Sequence, residues 1–139
     1  MTQLQRHTHP WFARIVLLSL LLMFFAIPHT LEDFALGEPA KAGVPIAALA
    51  LVIALLVALQ ALGIYWLGQG QYRGAVVHLV IGLFWPVASG TAQLPTILSG
   101  APYRFGAISL LYVGGMIVVG ALVFGAALAA LVGKKTVDA

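Results

Sequence analysis

The chain is 139 residues long, 62% hydrophobic and 8% charged, with seven basic residues against four acidic ones and no cysteine; its mean hydropathy is +1.05. Soluble domains carry about three times that share of charge, so composition excludes a soluble globular domain and leaves an integral membrane protein. The missing cysteines exclude disulfides, thiolate metal sites, iron–sulfur clusters and cysteine nucleophiles. Cations this few, scattered over loop ends, exclude a nucleic-acid surface.

Apolar runs long enough for a bilayer core of about 30 Å cover approximately residues 11–31, 44–67, 75–98 and 105–132. Short breaks between them predict one domain over residues 1–139, an all-α, four-helix transmembrane bundle whose sequential neighbours run antiparallel. Arg6, Arg14, Arg73, Lys134 and Lys135 fall on one side, Lys41 and Arg104 on the other. The positive-inside rule then makes the chain N-in and C-in, with Glu32, Asp33 and Glu38 outside. Compact loops point to a bacterial-type inner (plasma) membrane. Arg6 and Arg14 ahead of the apolar residues 15–27 also suit a cleaved signal peptide; a retained first helix is the reading adopted. His7 and His9, in the N-terminal tail, have only loose metal-binding character.

The first run ends in the stretch IPHTLEDF, residues 27–34. His29, Glu32 and Asp33 have i, i+3, i+4 spacing, so a continuous helix places both carboxylates on the face of the imidazole. At 1.5 Å per residue His29 lies roughly 22 Å beyond Arg14, in the outer third of the membrane. A histidine with nearby carboxylates can bind a divalent metal, shuttle a proton or act as an acid/base pair. These three residues are therefore both the candidate catalytic set and the candidate metal ligands. Two carboxylates so close repel each other unless a cation, such as a metal or Arg104, sits between them. A second reading has Pro28 and His29 end the spanning helix and Thr30 open a capping box with Asp33, which turns at least one carboxylate to water.

The second run, rich in alanine and leucine, is a packing element that carries Gln60. In the third, Arg73 precedes Pro86 almost as Arg14 precedes Pro28, a faint two-plus-two echo, and each proline kinks its helix where a cavity can open. His78 lies only about 7 Å beyond Arg73. It is level with Gln60, and a hydrogen bond between the two is expected. His29 and His78 differ too much in depth to share a metal, which also argues against bis-histidine haem. Trp85, beside Pro86 near the midplane, is a candidate wall for an apolar ligand cavity. Ser89, Thr91, Gln93 and Thr96 reach the level of the acidic cluster. From the outer end of the fourth run, Arg104, Ser109 and Tyr112 approach the same level. Gly115, Gly120 and Gly125 form small-residue rows for close helix contact, within the bundle or in a homodimer.

At these residues the chain resembles the HXXEE-motif family of small integral membrane proteins. HTLED supplies His29, Glu32 and Asp33, with aspartate as the last acid; His78 stands for the family's second histidine; YRFG supplies Tyr103 and Gly106 of a tyrosine-x-proline-glycine element, with phenylalanine at the proline. The resemblance implies a site around His29 without naming its chemistry. A fainter likeness is to the lycopene cyclase domain, where carboxylates protonate a polyene; TLEDF lacks that motif's proline.

No phosphate-binding glycine loop, dinucleotide fingerprint, nucleophile elbow or HExxH zinc motif is present. Three function classes remain. One is an outer-leaflet polar site at His29, Glu32 and Asp33, lined by Gln93, Tyr112, Arg104, Trp85 and His78, that binds a cation or a lipid-like or small-molecule ligand and does acid/base chemistry on it. The others are a small proton-coupled transporter, dimeric, and an accessory subunit of a larger membrane complex.

Overall fold

A computed structural model describes the backbone of residues 10–137 and side chains as far as Gly133. Arg6, His7 and His9, and the side chains of Lys134 and Lys135, lie outside the described residues. The described chain folds as α1 (Pro10–Ala35), α2 (Glu38–Lys41), α3 (Ile46–Gly68), α4 (Tyr72–Leu98) and α5 (Ala107–Val137), with no strand among the described residues. Four of these, α1, α3, α4 and the Ala107–Gly133 stretch of α5, are long and apolar enough to cross a bilayer. Helix is the local solution that satisfies every backbone group where no water can. The chain is an all-α integral membrane protein built as a four-helix bundle.

α1 does not stop at Pro28. It continues to Ala35 with the proline inside it, which overturns the expectation of a break and a capped surface helix at Thr30. Proline removes one ladder bond, but leaving the helix inside an apolar medium would strand several more. Thr30 is not a cap: its Oγ1 donates to the carbonyl of Ala26 at 2.8 Å, one turn back along the same helix. The chain turns only at Gly37, whose φ of 67° opens the single turn of α2.

The spanning helices pack where side chains shrink. α5 lies against both α4 and α1, and α3 leans chiefly on α4. A Cβ on Gly82 would stand 2.5 Å from the backbone nitrogen of Phe124, and one on Gly120 would stand 2.6 Å from the Pro86 ring, so α4 and α5 touch backbone to backbone. Gly74 meets α3 equally closely at Gly63. Gly115 seats Phe25 of α1, whereas Gly125 faces open space, so only part of the glycine row serves the bundle.

Two apolar clusters form the core. Phe12, Ile15, Leu67, Ala75 and Ala127 fill the end nearest the chain termini; Leu22, Ile81, Trp85, Met116 and Val123 fill the middle. Beside them runs a buried polar chain. Gln60 Nε2 donates to Ser19 Oγ at 2.8 Å and to the Ser19 carbonyl at 3.0 Å. His78 Nε2 lies 2.9 Å from Ser19 Oγ, and His78 Nδ1 lies 2.8 Å from the Gly74 carbonyl. That carbonyl can only accept, so the proton sits on Nδ1 and Ser19 donates to Nε2. Gln60 and His78 are joined through Ser19, not by the direct bond expected, and His78 is thereby spent on structure.

α3 is held at one end only. Its buried residues are Gln60, Gly63 and Leu67, while across residues 46–59 it is largely exposed and only Leu49, Ile53, Leu56 and Val57 are half-buried. Those four follow helical spacing on one face. A cleft opens between that face, α1 and α4.

Candidate functional site

The site forms at the end of the bundle where α1 runs past Pro28 and the α4–α5 connection folds back over it. That connection turns on Gly100 and Gly106, with φ of 74° at each, and on Arg104 at φ 40°. A left-handed arginine costs roughly 1–3 kcal/mol of backbone strain. The strain is offset by what the side chain reaches: Arg104 Nη1 lies 3.3 Å from Glu32 Oε2 and Nη2 lies 2.5 Å from Asp33 Oδ1. The Asp33 contact is an ion pair out of line for a hydrogen bond, so Oδ1 keeps no aligned donor. The Arg104 guanidinium also lies 5.3 Å from the centre of the Tyr103 ring.

The cation between the carboxylates is thus Arg104. Burial works against its charge, but Asp33 first, and then Tyr103 and Glu32, outweigh it and lift its pKa above the ordinary arginine value. Burial likewise pushes the Tyr103 phenol up, with Arg104 opposing and the carboxylates adding to the rise.

Glu32 and Asp33 have separate tasks. Glu32, 7% exposed, is spent at both oxygens: Oε2 on Arg104 and Oε1 on the hydroxyl of Ser109. Ser109 in turn accepts from the backbone N–H of Phe105 at 3.1 Å. Glu32 therefore pins the α4–α5 connection onto α1, and it is absent from the cleft wall. Of the two carboxylates, Glu32 is thus turned inward, to Arg104 and Ser109. Asp33 keeps a partly exposed side chain and lines the cleft.

His29, 3% exposed, stands between the two acids. Its Nε2 is 3.5 Å from Asp33 Oδ2 and its Nδ1 is 3.8 Å from Glu32 Oε2, with Nδ1 lacking a hydrogen-bond partner. The two carboxylates face opposite edges of the ring, so no single ion can take one histidine nitrogen and both acids. No group of three such side chains suited to a metal occurs among the described residues, and the metal reading of His29, Glu32 and Asp33 gives way to an ionic cluster closed by Arg104.

Two adjoining cavities, of 640 and 240 Å³, share Asp33, Leu49, Ala92 and Gln93 in their walls. The larger is a polar mouth that adds Glu38, Thr96, Tyr103 and Arg104. Tyr103 donates to Gln93 Oε1 at 2.8 Å across it, and at the rim Lys41 donates to Glu38 at 2.9 Å. That hydrogen bond holds the Glu38 pKa below the usual carboxylate range. The smaller cavity is a largely apolar groove walled by Ile53, Phe84, Trp85 and Met116, with His29, Thr30 and Ser89 as polar members beside the shared Asp33 and Gln93. Trp85 is buried with its Nε1–H unpartnered.

Of the residues singled out in the sequence, His29, Asp33, Arg104, Gln93 and Trp85 come together around this cleft. His78 is engaged with Ser19 elsewhere, and Tyr112 makes none of the polar contacts that build the cluster. Sequence reasoning gave Tyr103 to the YRFG element and missed its bond to Gln93. It placed Ser109 at the right depth without pairing it with Glu32. The depth count was the one signal that could have joined them.

The fold and the cluster define a class: a polytopic integral membrane protein with a buried histidine–carboxylate–arginine cluster at the mouth of an amphipathic cleft. Comparison with protein-family models, with curated proteins and with solved structures finds no match to this chain.

Proposed function

We propose that this protein binds an amphiphilic, lipid-like ligand within the membrane, with the polar head at His29, Asp33 and Arg104 and the apolar part in the groove toward Trp85. The observation that carries this reading is the shared wall of the two cavities: a polar mouth and an apolar groove meet at Asp33, Gln93 and Ala92. A soluble metabolite would not need the groove, and a bare ion would not need either volume. His29 and Asp33, 3.5 Å apart, form a pair able to exchange a proton with a bound head group. By the positive-inside distribution the cleft opens in the outer leaflet of a bacterial-type plasma membrane, with both termini in the cytoplasm. The packed cluster of Phe12, Ile15 and Leu67 at the opposite end favours a binding protein over a carrier with an aqueous path to both faces.

The test is native mass spectrometry of the protein released from maltoside micelles, with extraction of whatever it carries. Bound amphiphile is expected on the wild type and lost in Ala92→Leu, which fills the exposed waist where the cavities meet and leaves the charges alone. Equal retention by the two proteins would sink the reading.

A further inference from the structure

The charges around the cleft narrow the head group, given the amphiphile reading above. A buried arginine invites the assignment of a phosphate or carboxylate head, yet Arg104 already faces two carboxylates, Glu32 and Asp33. The remaining charged pair at the mouth, Glu38 with Lys41, cancels itself. Glu32 and Asp33 share the single Arg104 guanidinium, so the cluster pairs two acidic side chains with one arginine. An anionic head would add to that imbalance in a medium of low dielectric, where an uncompensated charge is costly.

We propose that the cleft selects an amphiphilic amine, with a protonated nitrogen that carries at least one N–H donated to Asp33 and an alkyl or aromatic body in the Trp85 groove. Three side chains mark the place: Asp33 keeps a partly exposed carboxylate on the cleft wall, and His29 and Trp85, both more than nine-tenths buried, line the groove with Nδ1 and Nε1 lacking a hydrogen-bond partner. The ammonium supplies the missing charge and gives the Asp33 carboxylate a donor in line. The titratable and charged groups that face it are His29 and Asp33 from α1, Glu38 with its partner Lys41 from α2, and Tyr103 and Arg104 from the α4–α5 connection, with Glu32 behind Arg104; the walls from α3 and from α4 contribute none.

Four probes with the same alkyl chain decide the matter: decylamine, decyltrimethylammonium, decanol and decanoate, each titrated below micelle formation at mildly alkaline pH and read by native mass spectrometry. Decylamine is expected to bind at least about tenfold more tightly than the other three, as a charge-assisted hydrogen bond allows. Asp33→Asn is expected to remove that preference. Thr96→Lys, an exposed mouth residue outside the ionic cluster, is expected to remove it without disturbing the fold, because its own ammonium fills the charge deficit. If decanoate or decanol binds as tightly as decylamine, or if Thr96→Lys leaves the preference intact, the amine assignment is overturned while the amphiphile reading stands. If none of the four binds, both fail.

Discussion

Glu32 and Arg104, 72 positions apart in the chain, meet as a buried ion pair with 3.3 Å between Oε2 and Nη1. The pair fastens the α4–α5 connection to α1 and so builds the mouth of the cleft. Glu32→Ala leaves Ser109 without its acceptor and Arg104 with Asp33 alone, and breaking a buried pair costs about 3 kcal/mol. Glu32→Gln keeps one acceptor oxygen, for either Ser109 or Arg104, and is expected to cost less, about 1.5 kcal/mol. Thermal unfolding in maltoside micelles compares the two variants; equal losses would mean that Glu32 does not pin the connection.

Charge alone does not describe Arg104. Its fork reaches Glu32 with one nitrogen and Asp33 with the other, which a single ammonium cannot reproduce. Arg104→Lys is expected to forfeit about 2 kcal/mol, because one ammonium cannot keep both the Glu32 hydrogen bond and the Asp33 ion pair. Unfolding at the wild-type temperature would refute the two-pronged role.

Glycines on α4 and α5 separate into tight and open ones. A Cβ on Gly82 meets backbone of Phe124 at 2.5 Å, whereas one on Gly125 meets nothing within 4 Å. Gly82→Ala is expected to cost about 2 kcal/mol or more, and Gly125→Ala to stay within about 0.5 kcal/mol. Unfolding temperatures of the two single variants check this, and a reversed order would place the α4–α5 contact elsewhere.

The Gln60–Ser19–His78 chain acts as a unit. Ser19→Ala removes the link that both neighbours share and is expected to cost about 1 kcal/mol, the scale of hydrogen bonds between membrane helices. Adding Gln60→Leu to it should cost less than Gln60→Leu alone, because the glutamine has already lost its hydroxyl partner. Strict additivity in the double-mutant cycle would break the chain into unrelated bonds.

Tyr103 gives the cleft a pH limit. Burial raises its pKa above the ordinary tyrosine value, so the neutral phenol is the form the fold favours. The stability this contributes is fully present below the unfolded pKa and is lost as pH rises through the raised folded value. Ionisation also ends the donation to Gln93. A titration of the phenolate ultraviolet band, wild type minus Tyr103→Phe, should show the Tyr103 transition above that of a free tyrosine; a transition at or below it would contradict the buried placement.

Local signals misled where two structures share them. Thr-Leu-Glu-Asp after Pro28 reads as a helix start, and the same four residues lie in mid-helix here because the helix is not interrupted. The capping reading assumed water at Pro28, and the buried Thr30 and Glu32 show that the surroundings are protein. Counting depth along helices served better. It put Gln60 level with His78, and Arg104 and Ser109 level with the acids, because rise per residue is fixed by backbone geometry.

What the chain determines by itself is therefore the number of spans, their limits to within a few residues, and the depth of each polar side chain, since hydropathy and helical rise are properties of one segment at a time. Rotation of the helices about their axes, and the folding back of residues 99–106, depend on how several segments fit together. These tertiary facts gave Glu32 to Ser109 and Arg104, gave Tyr103 to Gln93, spent His78 on Ser19, and left His29, Asp33 and Trp85 facing the cleft. Close approach at glycines and the pairing of charges out of water are decided between helices, and no single helix carries that information.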